Sequence, residues 1–589
     1  MGKLDDLNMT WDLEKIFPGG SSSQELQSFL SNLESELSDL GDEAATLTSD
    51  GDKIEDFVVK CQDTRDKLRE GATFVRCLVS QDQQDKQAKA LEGRVNQLQA
   101  EMEAIMIDLE SVLQEFPTQE WGQIVDREQL KPVSFFLTEL RNQGRDKLAP
   151  HEEKLATDLS VDGYHGWGEL YHTIVGDITI NRDGKKLSVG QAQNLLSSSE
   201  QSVRYEVGEL IEQAFQEKEH LIANALNHLA GFRLNLYKHR GWDDYLKEPL
   251  QINRISKQTL NTMWETIEKH KHVFTDYYAK KKEMLGLDTF GWFDRNAPIS
   301  GKSSYIDYSS GAKFIVEQFG KISDEMADFA EKALVNRWIE AENRGNKRPG
   351  GFCATFPVTG ESRIFMTYSG SSRNVATLAH ELGHAYHQWA LRDQPSFASK
   401  YPMTLAETAS TFAEQVISDA AIEASSDEQE RLALLDEKIS RSCAFFMDIH
   451  SRFLFESLFY QARAQGPVEV NKINELMVSS QKKAYQNSLD YWHPRFWATK
   501  LHFYLTRVPF YNFPYTFGYL FSMGIYSLFK QDPQNFPEVY WNLLKDTGRM
   551  TAEELALKHL NMDLRESDFW EQAVGYCIDD VNKFNTASQ

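Results

Sequence analysis

The sequence predicts a mainly α-helical protein with two lobes, and three observations lead to this prediction. Long segments such as 85–114 carry leucine, valine and methionine at spacings of three and four residues among charged residues, as amphipathic helices do. The alternating β-branched residues that are typical of strands are rare. A chain of 589 residues is also too long for one compact core, so at least two lobes are expected.

The first part of the chain is predicted to be helical from about residue 23 to residue 159, with a coiled-coil-like pair of helices among them. A short β-like run follows at 174–180, and Asn-Arg-Asp-Gly at 181–184 is typical of a turn. We therefore expect a small hairpin in this region.

A domain boundary is predicted near Leu196, which separates an N-terminal helical lobe, 1–196, from a C-terminal domain, 197–589. Inside the C-terminal domain, the segments 350–358 and 362–368 flank Thr-Gly-Glu and predict a second hairpin. The remainder of the domain has a helical pattern.

Composition narrows the possible partners and compartment. The net charge of −25 argues against a nucleic-acid partner, because phosphates would be repelled. The five cysteines are few, scattered and odd in number, with no C-x-x-C pair, which favours a reducing compartment and excludes a cysteine-built zinc site. The first residues lack an apolar signal segment, and no run approaches about 20 apolar residues. We expect a cytoplasmic protein without a membrane partner.

The segment His380-Glu381-Leu382-Gly383-His384 lies in an apolar run with a helical pattern. Residues four apart lie on the same face of a helix, so the two imidazoles can bind one metal ion without bending the backbone. Glu381 follows the first histidine, so its carboxylate emerges beside the metal, where a general base for water is needed. The pattern predicts a zinc hydrolase with one zinc ion per chain.

A catalytic zinc requires a third protein ligand. His387 lies seven residues after His380, about 10 Å along a helix axis, and therefore cannot share the ion with both other histidines. The segment 405–414 is a better source of the third ligand. It also has a helical pattern, and its alanines and serine allow close packing against the first helix. We predict Glu407 as the third ligand and Glu414, two turns later, as the acceptor of a ligand histidine's N–H.

These residues resemble the oligoendopeptidase F family, relatives of thimet oligopeptidase among zinc metallopeptidases. The resemblance rests on four segments that together span nearly the whole chain: the opening Trp-Asp-Leu at 11–13, Thr-Leu-Ala-His-Glu-Leu-Gly-His-Ala at 377–385, Glu-Thr-Ala-Ser-Thr-Phe-Ala-Glu at 407–414, and the tyrosine-rich stretch 502–519. It implies an almost entirely helical fold with a deep substrate channel between two lobes. It also implies cleavage of internal bonds in short peptides, with folded proteins excluded.

The tyrosine-rich stretch is the source of further predicted site residues. The resemblance implies that His502 and one or more tyrosines line the channel opposite the zinc. A neutral phenol is a good donor to an oxyanion, since its ordinary pKa is near 10. We predict Tyr519 as this donor, with Tyr511 and His502 in support, and Tyr515 in contact with substrate.

The second hairpin precedes the histidine helix directly, so an edge strand there can pair with an extended peptide through main-chain hydrogen bonds. We predict that the segment 362–368 supplies this edge. Its substrate-binding residues would be Ser362, Ile364, Met366 and Tyr368. A purely structural hairpin is an equally good explanation of the same pattern.

Two alternatives to a zinc endopeptidase acting on oligopeptides stay open. A metallocarboxypeptidase of similar helical build would need a fixed cation for the substrate carboxylate, and Arg363, Arg373 and Arg507 are candidates. A catalytically silent peptide-binding homologue is the other, although the intact set of ligands and Glu381 speak against it. The sequence leaves the oligomeric state open.

Overall fold

A computed structural model of the chain describes residues 2–299 and 305–588. Within them the protein is mainly α-helical, with 25 α-helices and five short strands, as predicted. The first twelve helices are α1 (Gln24–Ala45), α2 (Gly51–Gln81), α3 (Lys86–Leu113), α4 (Thr118–Val125), α5 (Ser134–Asp146), α6 (Pro150–Ser160), α7 (Gly166–Asp177), α8 (Val189–Leu195), α9 (Gln201–Gln216), α10 (Glu219–His239), α11 (Lys247–Ile252) and α12 (Lys257–Met284). The others are α13 (Tyr308–Gly320), α14 (Asp324–Val335), α15 (Ser372–Leu391), α16 (Met403–Ala406), α17 (Thr408–Ala424), α18 (Glu428–Cys443), α19 (Ile449–Arg463), α20 (Val470–Ala484), α21 (Phe496–Thr499), α22 (Phe513–Gln531), α23 (Phe536–Asp546), α24 (Ala552–Leu560) and α25 (Ser567–Ala587).

The helices and strands form two compact units, each built from three separate parts of the chain. The first unit comprises the described residues of 1–147, 303–420 and 528–561, and the second takes the described residues of 148–302, 421–527 and 562–589. This division differs from the predicted boundary at residue 196. The histidine helix α15 belongs to the same unit as the N-terminal helices, because contacts between distant parts of the chain decide which segments pack together.

The N-terminal helices of the first unit pack on one another through a leucine stripe. On α1 the buried residues Leu26, Leu30, Leu33, Leu37 and Leu40 follow an alternating spacing of four and three. This spacing keeps one face of a helix towards its partners, as in coiled coils. The stripe packs against α2 and α3, and it is the structural basis of the coiled-coil-like pattern in the sequence.

A three-stranded sheet stands directly before the histidine helix. Its strands are β3 (Ile339–Glu340), β4 (Phe352–Phe356) and β5 (Glu361–Phe365), arranged in the order β3-β5-β4. The antiparallel pairing of β4 with β5 confirms the predicted second hairpin. Both strands contact α15, so the sheet supports the helix that carries the two histidines.

The central place of β5 shows that the predicted peptide-binding edge was wrong. On one side β5 pairs with β4, and on the other side Ile364 donates its N–H to the Trp338 carbonyl while Met366 donates to Glu340. The four predicted substrate-binding side chains of this segment are all buried: Ser362, Ile364, Met366 and Tyr368. A strand that is paired on both sides has no free edge for a peptide.

The second unit contains the other predicted hairpin, displaced along the chain. Strands β1 (Thr179–Arg182) and β2 (Lys185–Ser188) pair antiparallel around Asp183-Gly184, both with positive φ. The predicted β-like run from residue 174 is instead the last turn of α7. Its isoleucine is buried and α7 packs against α10, and this packing outweighs the preference of isoleucine and valine for strands.

No helix among the described residues has the length and apolar character needed to cross a membrane. All five cysteines are free thiols, and four of them are buried.

Candidate metal centre

The two histidines of the motif project from the middle of α15. This helix begins with a capping box, in which Ser371 and Asn374 satisfy each other's backbone N–H groups. His380 and His384 lie four residues apart, and their ring centroids are 4.8 Å apart at an interplanar angle of 87°. The edge-to-face arrangement directs both Nε2 atoms towards one point beside the helix.

Glu407 approaches the same point from a different element. It lies at the junction between α16 and α17, where the helical hydrogen bonding of the predicted single helix is interrupted. Its Oε2 is 3.4 Å from His380 Nε2 and 3.5 Å from His384 Nε2. The Ser410 hydroxyl donates to the same oxygen at 2.7 Å, which fixes the orientation of the carboxylate.

These three side chains fit a zinc ion by chemistry and by spacing. One ligand atom from each of His380, His384 and Glu407 lies within 4.8 Å of the other two, a separation that a single ion at bonds of about 2.1 Å can bridge. Two imidazole nitrogens and one carboxylate oxygen are a donor set typical of catalytic zinc sites, and they leave one coordination position for water or substrate.

The residues behind the ligands orient the two imidazoles. The Glu414 carboxylate lies 3.3 Å from His380 Nδ1, so Nδ1–H donates to it and Nε2 stays free to bind a metal. Burial lowers the pKa of His384 to about 4, which keeps this imidazole neutral and able to coordinate at physiological pH.

Glu381 stands beside the ligands in a buried position. Only 6% of the residue is exposed, and its Oε2 has no hydrogen-bond partner in the part of the chain that the structure describes. Burial raises the pKa of this carboxyl to about 7, an effect opposed by the nearby His380. A buried carboxyl with an unsatisfied oxygen and a pKa near neutrality has the properties of a general base.

Gly383 explains how two helices approach closely enough to assemble this centre. A Cβ at this position would lie 2.5 Å from the Ala409 carbonyl oxygen and 2.7 Å from the Ser410 Cα, both backbone atoms of α17. Any side chain would push α17 away, and Glu407 with it. The glycine before the second histidine is therefore part of the geometry of the site.

His387 lies away from the centre, as the axial-rise argument predicted. It is fully buried, and its Nε2 forms a hydrogen bond of 2.8 Å with the Thr547 hydroxyl. Burial lowers its pKa to about 3. The residue packs against the Tyr401 ring and has a structural place in the first unit.

Three of the predicted aromatic site residues cluster in the second unit. The His502 ring stacks on Tyr511 at a centroid distance of 5.6 Å, and Tyr515 meets both rings edge-on. All three residues are half-buried, so each has an exposed part. Burial, assisted by Arg452 and Lys500, lowers the pKa of His502 to about 4, so its imidazole is neutral at physiological pH.

Tyr519 does not belong to this cluster, and the predicted role as oxyanion donor needs correction. Only 2% of the residue is exposed, and its hydroxyl is 2.8 Å from the Ser442 hydroxyl. Its ring stacks on Phe445 inside the second unit. A buried phenol whose hydroxyl is already hydrogen-bonded cannot donate to a substrate.

The sequence reasoning missed the strand edge that the sheet does offer. In the described residues β4 is an outer strand, and the Thr355 carbonyl on its outer side accepts a hydrogen bond from the Thr73 hydroxyl. Because backbone groups alternate along a strand, Gly351 and Cys353 face the same outer side. A Cβ on Gly351 would lie 3.1 Å from Glu381 Oε1. The pair Gly350-Gly351 was the signal in the sequence, since glycine permits such close approach.

The model for peptidase family M3 matches residues 194–576, more than half of the chain. The chain belongs to peptidase family M3. A second model, described as oligopeptidase F, matches residues 112–180.

Individual relatives match this chain at low sequence identity. The chromosomal oligoendopeptidase F of Lactococcus lactis subsp. cremoris is 26% identical over 348 residues, which are 58% of this chain and 57% of the relative. The oligopeptidase PepF of Bacillus subtilis is 22% identical over 560 residues, or 91% of this chain and 81% of the relative. The chain thus matches somewhat more than half the length of the lactococcal relative.

Solved structures agree in fold. An oligoendopeptidase-F from Enterococcus faecium superposes with a TM-score of 0.69 at 17% identity, covering 96% of this chain and 99% of the other. A Chlamydophila abortus protein described as a peptidase gives a TM-score of 0.86 at 18% identity, covering 100% of this chain and 99% of the other. At these identities the likeness establishes the shared fold.

The contact at Gly383 yields a test of how the centre is assembled. Gly383→Ala is expected to lower the melting temperature and the bound zinc together, because the methyl group must displace α17 and Glu407. Overpacking of this kind costs about 1–3 kcal/mol. The matched control is Gly93→Ala on α3, where a Cβ meets no atom within 4 Å and alanine favours the helix. Equal zinc content in both variants, measured by atomic absorption, would contradict the role of this contact.

Proposed function

We propose that this protein is a zinc-dependent endopeptidase that hydrolyses internal peptide bonds of short, unstructured oligopeptides. The observation that carries the proposal is the convergence of His380, His384 and Glu407 beside the buried, unsatisfied Glu381. Membership of peptidase family M3, and the oligoendopeptidase names of the relatives, support the choice of peptide bonds as the substrate.

Three residues of the first unit would hold the metal. A zinc ion bound by His380, His384 and Glu407 supplies Lewis acidity and lowers the pKa of water towards 7. Glu414 supports this arrangement by accepting the His380 Nδ1–H. Ser410 supports it by its hydrogen bond to Glu407.

Glu381 performs the proton transfers in this proposal. Its carboxylate accepts a proton from the water that attacks the scissile carbonyl carbon, and the same proton then passes to the leaving amine nitrogen as the C–N bond breaks. A carboxyl with a pKa near 7 can do both at neutral pH. The protein is thereby returned to its starting protonation state.

The outer edge of β4 is our proposed binding site for the peptide main chain. An extended peptide that pairs with the outward backbone groups of Gly351 and Cys353 would lie next to Glu381, because Gly351 is in close contact with that carboxylate. Main-chain pairing does not depend on the side chains of the peptide, so it is compatible with a loose sequence preference of the enzyme. This site replaces the edge predicted at 362–368.

The aromatic cluster of the second unit is our proposed source of a donor to the oxyanion. Tyr511 and Tyr515 carry phenol groups at partly exposed positions, and the neutral His502 packs against both. The proposal assigns the stabilising hydrogen bond to one of these two tyrosines, in place of the buried Tyr519.

The carboxypeptidase alternative is weakened by the surroundings of Arg363. Its guanidinium is fully buried and donates to the backbone carbonyl of Asp12 and to the Glu361 carboxylate. A cation that is already satisfied in this way does not bind the terminal carboxylate of a substrate. Arg373 and Arg507 are exposed residues, so they stay as the candidates for the cation that a carboxypeptidase needs.

An internally quenched peptide that is blocked at both ends tests the proposal. The zinc-loaded protein is expected to cleave it at an internal bond, to lose activity with a chelator and to regain it when zinc is restored. Fluorescence gives the rate, and mass spectrometry gives the cleaved bond. Cleavage restricted to peptides with a free C-terminus would favour the carboxypeptidase, and inactivity of zinc-replete protein on a peptide library would favour the silent homologue.

Glu381→Gln separates proton transfer from metal binding. The amide cannot accept the proton of water, so kcat is expected to fall about 10²–10⁴-fold while zinc stays stoichiometric. Glu317→Gln is the control, because that exposed residue of α13 lies outside the site and should leave kcat unchanged. An unaltered kcat in Glu381→Gln would remove Glu381 from the reaction.

The tyrosine assignment is tested by three phenylalanine variants. Loss of one oxyanion donor costs about 10²–10³-fold in kcat, so Tyr511→Phe or Tyr515→Phe is expected to show this loss with normal zinc content. Tyr519→Phe is expected to keep kcat and to lose about 0.5–1.5 kcal/mol of stability, since it removes only the buried hydroxyl's hydrogen bonds with Ser442 and Cys577. A large loss of kcat in Tyr519→Phe alone would restore the original assignment.

A further inference from the structure

The second unit contains a cavity of about 350 Å³ whose walls carry unusual charge. Its formally charged lining residues are Arg295, Arg452, Lys500 and Asp448. Three cationic groups and one carboxylate leave a formal charge of +2, while the whole chain has a net charge of −25. Acidic residues are therefore plentiful in this protein, and only one of them reaches this cavity.

Asp448 is already shared between the two guanidinium groups. Its carboxylate lies 3.0 Å from Arg295 and 2.6 Å from Arg452. Lys500 has no direct partner: among the described residues its ammonium makes no hydrogen bond or ion pair, and it lies 4.9 Å from the centre of the Phe496 ring, while Asp448 attracts it from a greater distance. Burial and the neighbouring Arg452 lower the pKa of Lys500 to about 8.

Arg452 has an unused donor at the same place. Its Nε is buried and has no hydrogen-bond partner within the part of the chain that the structure describes, although Nη1 donates to the Asn512 side chain at 3.2 Å. Buried donors are nearly always satisfied in proteins, and an orphan of this kind calls for an acceptor. With Lys500, it gives the cavity two cationic donors that no protein acceptor satisfies.

The backbone around the cavity is irregular in a way that often accompanies function. Residues Ala444–Asp448 form a π-helical turn between α18 and α19, and this turn supplies Phe445 and Asp448 to the wall. π-turns within helical runs are energetically unfavourable and recur at functional sites. Here the wider turn helps to shape the cavity.

The rest of the lining combines the aromatic side chains of Trp292, Phe293, Phe445 and Phe496 with uncharged polar residues such as Asn296 and Thr499. A cavity of this volume is at the lower end of the range for small organic ligands and much larger than an inorganic anion needs. Each of the three cationic side chains lies next to one of these aromatic rings. Aromatic rings beside cationic groups match a ligand that joins an apolar group to a carboxylate.

We propose that this cavity binds a small organic carboxylate, with its anionic group between Lys500 and Arg452 and its apolar group against the aromatic wall. Two sources share this chemistry: the C-terminal residue of a short peptide, and a free aryl or branched-chain acid. The proposal is separate from the metal centre and does not require zinc.

Calorimetric titration of the zinc-loaded protein tests this site with defined probes. 3-Phenylpropanoate is expected to bind with one site per chain, whereas the uncharged 3-phenylpropanamide and inorganic phosphate are not expected to compete with it. N-acetylphenylalanine represents the C-terminal residue of a peptide, and tighter binding than 3-phenylpropanoate would identify that source. Weaker binding would identify the free acid.

Substitution of Lys500 locates the binding. Lys500→Met is expected to weaken the binding of 3-phenylpropanoate at least tenfold without lowering the melting temperature, since it removes a half-buried charge that has no direct hydrogen bond or ion pair among the described residues. Lys500→Gln serves the same purpose if the methionine variant does not fold. Lys500→Arg is expected to restore binding, and the matched control Lys257→Met, at an exposed lysine of the same unit, to leave it unchanged.

Three results would overturn the proposal. Equal affinity of 3-phenylpropanoate for the wild type and the Lys500 variants would place its carboxylate elsewhere in the protein. Loss of its binding after chelation would indicate that the carboxylate binds to zinc. Phosphate binding as tightly as 3-phenylpropanoate would show that the site takes inorganic anions. None of these results depends on peptidase activity, so they leave the proposed function to its own test.

Discussion

The contact between α15 and α17 at Gly383 is the constraint on which the rest of the metal centre depends. Two histidines on one helix supply only two ligands, and the third must come from a neighbouring element at a distance of a few ångströms. Such an approach requires that backbone meets backbone, which is why Gly383 faces the Ala409 carbonyl. The small residues of α17 are therefore as much a part of the ligand geometry as Glu407 itself.

This packing also concentrates negative charge in a half-buried place. Glu381, Glu407 and Glu414 all approach the two imidazoles, and carboxylates that share a desolvated site disfavour one another's ionised form. Burial is the main cause of the raised pKa of Glu381, and the neighbouring carboxylates of Glu407 and Glu414 raise it further. A divalent cation would relieve this repulsion, so the electrostatics of the protein residues and their ligand geometry favour the same occupant.

Sequence reasoning succeeded where the decisive relation was local. A spacing of four places His380 and His384 on one helix face whatever the tertiary structure is, and the capacity of small residues for close packing led to Glu407. It failed for β5, because the strand that covers its other side, β3, has only two residues and leaves no pattern in the sequence. It failed for Tyr519 because the hydroxyl partner, Ser442, lies on another helix far along the chain. The compact units were likewise set by contacts between distant segments.

The metal centre and the cavity of the second unit have opposite charge imbalances. In the metal centre, carboxylates outnumber the groups that can neutralise them, and in the cavity of the second unit cations do. Cations that are withdrawn from water without a direct partner are costly, although a chain with 88 acidic residues against 63 basic ones has many acids that could pair with them. Arg204 and Asp294 show that the same unit can bury a matched ion pair at 2.7 Å. The excess of three cationic groups over one carboxylate is thus a property of that cavity, and an anionic ligand is the simplest physical means of compensating it.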